Sequence, residues 1–213
     1  VGRSIWASLL ALRRARLDCL VLHRAAHMFP FNGWMWERLL EHLEDGTMLS
    51  LGVSEQTPED ALSALNCLDV THIQLPFNLL DWRWRESGAI ARIRGRTHLT
   101  VHARSVFLQG LLAADNASVW PKVGGVNAPD LVDFLSELAR QFERTSTADL
   151  CLAYARGQDW IDGVVVGMET EEQLEMNLRL SARPPLSAED CAEIERRVPR
   201  VPAQLLNPAE WPK

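Results

Sequence analysis

The sequence predicts an α/β fold, a parallel sheet covered by helices. Short apolar runs recur five times along the 213 residues, and each is followed by a stretch with helical spacing. The runs are almost continuously apolar rather than alternating, as in strands buried on both faces. Two architectures fit, an open doubly wound sheet or part of a (β/α)8 barrel, and spacing alone does not separate them. No GxGxxG follows any run, which removes the usual dinucleotide fingerprint of the open sheet.

Residues 3–15 (RSIWASLLALRRA) space Ile5, Leu9 and Leu12 at helical intervals, with Ser4 as the expected cap. LDCLVLH, 17–23, is the first strand. Residues 33–45 return to helical period and stop at Gly46, a C′ glycine. MLSLGVS, 48–54, is the second strand. TPEDALSAL, 57–65, opens with a threonine cap, a proline at the first helical position and two acids that complement the helix dipole. THIQLP, 71–76, is the third strand, shut off by Pro76. A weak helix near 86–94 precedes LTVHARS, 99–105, the fourth strand. A long loop with Pro121 and Gly124–Gly125 leads to an amphipathic helix at 129–144. A further helix near 147–157 precedes WIDGVVVG, 160–167, the fifth strand. TEEQLEMNL, 170–178, is helical, and SAEDCAEIERRV, 187–198, opens on a capping-box pattern with glutamate at or near the third position. The proline-rich tail from Pro199 is expected on the surface. Residues 1–213 read as one domain.

Composition excludes several classes. Apolar residues make up 47% and charged residues 23%, ordinary for a soluble domain with a core. No apolar run approaches the roughly 18–20 residues that span a bilayer. Arg3, Arg13, Arg14 and Arg16 interrupt any signal-peptide core. The net charge is −6 without a basic block, which argues against nucleic acid. Cys19, Cys67, Cys151 and Cys191 form no CxxC pair; Cys19 and Cys151 read as small core residues, and a reducing cytoplasm is the simplest setting.

In either architecture function sits where strands end and loops begin. Those ends carry His23 and Arg24, Ser54 and Glu55, Gln74 with Asn78 nearby, Arg104 and Ser105, and Gly167 onward. Taken in order, the segments LVLHR (20–24), LGVS (51–54), HIQLPFN (72–78), VHARSVFLQGLL (101–112) and VVVGMETEEQLEMN (164–177) resemble the C-terminal part of an aldo/keto reductase. The resemblance covers essentially the whole chain. It selects the barrel, and it implies reduction of an aldehyde or ketone with NAD(P)H, usually NADPH. The third and fourth motifs are similar to those of bacterial members encoded beside sugar-modifying genes, which suggests a sugar-derived carbonyl.

By that resemblance His23 is the catalytic histidine that orients the substrate carbonyl, since hydride attack needs donors aimed at the developing oxyanion. Ser54 and Gln74 match positions that hold the nicotinamide carboxamide. Arg104, with Ser105 beside it, stands where many members stack an aromatic ring on nicotinamide. Gly167, Thr170, Gln173 and Asn177 match the region gripping the adenosine phosphate end, at a helix N-terminus. Two features depart from the pattern. Glu55 replaces a common Asn, and the stretch GMETEEQ holds three acids and no base for a 2′-phosphate.

The family's tetrad is Asp, Tyr, Lys and His. Only 22 residues precede His23, Tyr154 is the lone tyrosine, and the lysines are Lys122 and Lys213. The resemblance therefore implies a chain that lacks the first three strands and three tetrad members, a fragment expected to be inactive alone. The alternative is a non-catalytic relic or nucleotide-binding module. The first and last strands are expected to self-associate through unpaired edges.

Other groupings carry less. DWRWRE, 81–86, interleaves aromatics and arginines and is read as a loop after the third strand. His23 and His27 have no acid partner for a metal site. His72 and His102 read as structural. GVSEQ is no nucleophile elbow because GxSxG is absent. Phe29, Phe31, Trp34 and Trp36 either wall a substrate pocket or form a helix's core face.

Overall fold

The computed structural model describes residues 1–29 and 33–212. Its strands are β1 (Leu20–Leu22), β2 (Leu51–Ser54), β3 (His72–Pro76), β4 (Thr100–Arg104) and β5 (Gly163–Val165), hydrogen-bonded in that order. The helices are α1 (Gly2–Leu12), α2 (Trp34–Glu44), α3 (Pro58–Ala64), α4 (Trp82–Glu86), α5 (Ala89–Arg94), α6 (Ala128–Gln141), α7 (Thr147–Arg156), α8 (Glu171–Ala182) and α9 (Ala188–Arg197). A doubly wound sheet reverses its strand order at a switch point, whereas a barrel lays each strand beside the last. The unbroken order here is the barrel's. Among the described residues no helix is long and apolar enough to cross a membrane.

The residues gather into two compact units. The first comprises Val1–Leu75 and Ser87–His102, the second Pro76–Glu86 and the chain from Ala103 onward. In the first unit β1 pairs parallel with β2, and β2 with β3, so that Leu22, Val53 and Ile73 form one row. Leu51, Val53, Ile73 and Leu75 are fully buried. Gly52 explains how β2 and β3 lie so close. A Cβ there would sit 2.5 Å from the His72 carbonyl oxygen and 2.7 Å from its Cβ. The loop leading into β3 is held by Arg96, whose guanidinium donates to the carbonyls of Leu65 (2.7 Å), Cys67 (3.2 Å), Leu68 (3.1 Å) and Val70 (2.9 Å). These otherwise orphaned carbonyls let the chain turn from α3 into the sheet.

In the second unit Phe77, Leu79, Leu80, Asp81 and Trp84 are fully buried, as are Leu150, Cys151 and Tyr154 of α7. Asp81 binds Arg83 through two side-chain bonds of 2.8 and 2.7 Å. Its Oδ1 also accepts the Arg83 backbone N–H at 3.3 Å, steadying the first turn of α4. Phe77 stacks on Tyr154 and meets Trp160 edge to face.

Several local expectations hold. Thr57 caps α3 through its hydroxyl, and Gly46 lies just past α2 with φ +76°. The structure adds two caps of the same kind, Ser146 on α7 and Thr170 on α8. Others need correction. Ser4 lies inside α1, whose N-cap is Val1. The third-position acid of the α9 capping box is Asp190, not glutamate. DWRWRE is not a loop: residues 82–86 form α4, because Trp84 finds a fully buried place and Asp81 ties the helix start. The tail is not purely superficial, since Val201, Leu205 and Leu206 are buried. Trp82 donates to the Val201 carbonyl at 2.9 Å and Arg200 stacks on its ring at 3.7 Å. The first strand is not buried on both faces: Val21 is exposed and its neighbours half-buried. Cys19 is half-buried rather than core.

Gly52→Ala forces β2 away from β3 and is expected to lower stability by about 1–3 kcal/mol, as overpacking does. Urea unfolding of the two chains measures it; an unchanged midpoint refutes the close approach.

Candidate functional site

The candidate residues fall into three groups. The first lies at the C-terminal ends of β1, β2 and β3. Ser54 and Gln74 are direct register partners, one residue past the Leu22–Val53–Ile73 row, and His23 is the first residue after β1. Paired residues of a parallel sheet point to the same face, so Ser54 and Gln74 stand side by side. Both are half-buried, and among the described residues neither makes a side-chain hydrogen bond; His23 is exposed. Its ring lies 6.5 Å from that of His27. Among the described residues no group of three or more His, Cys, Asp or Glu is placed to hold a metal ion. Glu55 continues β2 into the loop, its N–H donating to the Gln74 carbonyl at 2.8 Å while its carboxylate is buried. His72, two residues before Gln74, packs edge-on against His102 at 4.5 Å.

The second group follows β4. Arg104 donates to the Ser105 hydroxyl at 3.4 Å, a weak contact, and its carbonyl accepts the Phe77 N–H at 2.9 Å. Ser105, Leu108 and Gln109 all have positive φ (59°, 45° and 56°), with Gly110 following at 86°. Each non-glycine residue in that region costs on the order of 1–3 kcal/mol, and such strain clusters at functional sites. The short sequence VFLQG gave no warning of it beyond its glycine.

The third group is the N-terminus of α8. Gly167 is exposed with open space where a Cβ would stand. The Thr170 hydroxyl accepts the Gln173 N–H at 3.3 Å, and the Gln173 side-chain carbonyl accepts the Glu169 N–H at 2.7 Å. Both polar atoms therefore close the start of their own helix. Asn177 is half-buried one turn further on. Glu172 has its carboxyl held below the usual range by its own backbone N–H and by Thr170.

Of the aromatic residues after β1, Trp36 is buried on the core face of α2, while Phe29 and Trp34 are exposed; Phe31 lies outside the described residues. Tyr154 is buried in α7. Its hydroxyl donates to Glu195 at 2.8 Å and accepts from Arg85 at 3.2 Å. Desolvation pushes its pKa well up, against the pull of the Arg85 charge. The partnership of Tyr154, Arg85 and Glu195 was invisible in sequence, because the residues come from three distant segments.

Polar residues at the C-terminal ends of parallel strands in barrel order are the layout of a (β/α)8-barrel enzyme. The sequence model of the aldo/keto reductase family matches residues 1–198, and the chain belongs to that family. Its fold is also found in aldo-keto reductase AKR11C1 from Bacillus halodurans. The holo form matches with TM-score 0.74 and 22% identity over 93% of this chain and 64% of that one. The apo form matches with TM-score 0.72 and 21% identity over 94% and 68%. The chain thus spans under two thirds of the holo-form chain. No curated protein matches it.

Two predictions follow from this geometry. Tyr154, the lone tyrosine, stays protonated in the folded chain above about pH 10, where an unfolded tyrosine ionises. Its folded pKa is raised, so its contribution is intact below the unfolded pKa and is lost as pH rises towards the folded one. Tyrosinate absorbance should appear only together with loss of far-UV circular dichroism; a tyrosinate signal near pH 10 in a folded chain refutes it. Gln109 is exposed at positive φ, so Gln109→Gly should stabilise by about 1 kcal/mol, read from chemical unfolding. A destabilised variant would mean that the backbone there is not strained.

Proposed function

We propose that the intact protein is an NAD(P)H-dependent oxidoreductase reducing an aldehyde or ketone; the resemblance of the third and fourth motifs to those of sugar-linked members points to a sugar-derived carbonyl. The observation that supports this reading is the register pair Ser54–Gln74 on adjacent parallel strands, with His23 the first residue after β1. Two adjacent half-buried side chains, one hydroxyl and one carboxamide, suit a planar amide that needs both donors and acceptors. Ser54 and Gln74 would hold the nicotinamide carboxamide, Arg104 and Ser105 would flank the ring, and His23 would orient the substrate carbonyl. When bound, the cofactor supplies the hydride. Gly167, Thr170, Gln173 and Asn177 would face the phosphate end through the start of α8. That end fits less well: its hydroxyl and carboxamide are already engaged in capping, and Glu169, Glu171 and Glu172 offer no charge partner to a 2′-phosphate. The acidic stretch supports NADH at least as well as NADPH. Four free cysteines are consistent with a cytoplasmic setting.

A second reading is a nucleotide-binding or interaction module without turnover. It draws on Tyr154, the lone tyrosine, whose hydroxyl is buried and committed to Glu195. Within these 213 residues no other tyrosine could donate the proton, and general acid catalysis contributes about 10²–10⁴-fold.

Calorimetric titration of the chain with NADH and NADPH tests the cofactor site. Binding that weakens in Ser54→Ala and in Gln74→Ala supports it, and binding indifferent to both substitutions refutes it. Carbonyl reduction by the full-length protein, lost in His23→Ala with nucleotide affinity retained, supports the reductase. Binding without any turnover supports the module.

A further inference from the structure

The start of α8 is where barrel physics expects a phosphate. It is a helix N-terminus following β5, with the orphan N–H groups and the positive end of the dipole that an anion seeks. In this chain most of those N–H groups are already taken by the same turn. The Thr170 hydroxyl accepts the Gln173 N–H at 3.3 Å, and the Gln173 side-chain carbonyl accepts the Glu169 N–H at 2.7 Å. The Leu174 N–H donates to the Thr170 carbonyl at 3.1 Å. The Glu172 carboxylate accepts its own backbone N–H and a bond from Thr170, which hold it charged. A carboxylate of the chain itself therefore fills the role that a bound anion would have at this end.

Charge works in the same direction. No Lys or Arg lies between 157 and 178, whereas Glu169, Glu171, Glu172 and Glu175 do. The arginines on either side are committed elsewhere. Arg156 donates to the Arg183 carbonyl at 2.8 Å, and Arg179 pairs with Glu175 at 2.7 Å. Glu171 and Glu172 are exposed in the first turn, so their charges meet whatever approaches it. A 2′-phosphate brings about two negative charges near neutral pH. It needs free donors and a base, and this turn lacks both. A ribose that keeps its 2′-hydroxyl is uncharged at that position and meets no such repulsion.

We propose that the start of α8 refuses a 2′-phosphate and that the protein uses NADH in preference to NADPH. The inference rests on the cofactor reading above, which brings the adenosine end of the nucleotide to this turn. The residues do not fit the 2′-phosphate: Glu172 is an internal anion, and Thr170 and Gln173 spend on their own helix the atoms that a phosphate would need. Repulsion between exposed charges is screened by salt, so the preference is greatest at low ionic strength.

Calorimetric titration of the protein with NADH and with NADPH, at low and at high salt, tests this. NADPH is expected to bind about tenfold or more weaker than NADH at low salt, with a gap that narrows as salt is raised. Glu171→Gln and Glu172→Gln combined remove two exposed charges and should leave the far-UV spectrum unchanged. The double variant should raise NADPH affinity about tenfold and leave NADH affinity within about twofold. NADPH bound as tightly as NADH, or more tightly, by the wild-type protein overturns the inference and leaves the reductase reading in place. So does a preference for NADH that the double variant keeps in full. Binding of neither nucleotide overturns the cofactor reading, and this inference with it.

Discussion

The parallel register of β1, β2 and β3 is the constraint on which the candidate site depends. It sets Ser54 beside Gln74, and His23 just past the end of β1, although they are separated by turns and helices in the chain. The register in turn depends on a missing side chain. At Gly52 the His72 carbonyl approaches to within the space a Cβ would fill, so the two strands pack at a spacing that no other residue permits there. Glycine acts here through volume rather than through an unusual φ. A slip by one residue would reverse the facing of every side chain on β3 and separate Ser54 from Gln74.

Much of this architecture was legible because it rests on local chemistry. Thr57 announces a helix start by its hydroxyl-to-backbone bond, and the five apolar runs mark the five strands. What escaped the sequence is tertiary. DWRWRE alternates aromatic and charged residues with a period of two, which masks a helix. Only the burial of Trp84 and the grip of Asp81 on Arg83 make it one. The tail from Pro199 reads as surface by composition, yet Val201, Leu205 and Leu206 are buried and Trp82 donates to the Val201 carbonyl. Similarly, β1 reads as buried on both faces by its apolar residues, while Val21 is exposed, because burial needs a covering layer that a run of apolar residues does not itself supply.

The candidate site shows the same division. Positions set by strand register were readable from motif order. The engagement of individual atoms was not. Thr170 and Gln173 carry the residue types expected of a phosphate-end site, but an N-cap hydroxyl and a side-chain carbonyl bound to a nearby N–H are also what starts a helix. Residue type alone does not separate the two uses. The acids of the same turn point towards the local one, since Glu171 and Glu172 complement the dipole at the very end where an anion would bind.

Backbone strain is informative where side chains are ambiguous. Caps and surface charges are satisfied by local rules, so their presence says little about function. Positive φ at Ser105, Leu108 and Gln109 contradicts those rules three times within five residues. Leu108 is also buried, so its side chain is held by packing while its backbone is not at ease. Such conflict persists only if the surroundings over-determine the conformation. Here the Phe77 N–H fixes the Arg104 carbonyl immediately before the segment, and the Leu108 N–H donates to the Ser105 carbonyl at 2.9 Å within it. Two hydrogen bonds and one buried leucine thus pin a turn that its sequence does not favour. The turn begins at the C-terminal end of β4, at the end of the sheet where a barrel of this family has its chemistry.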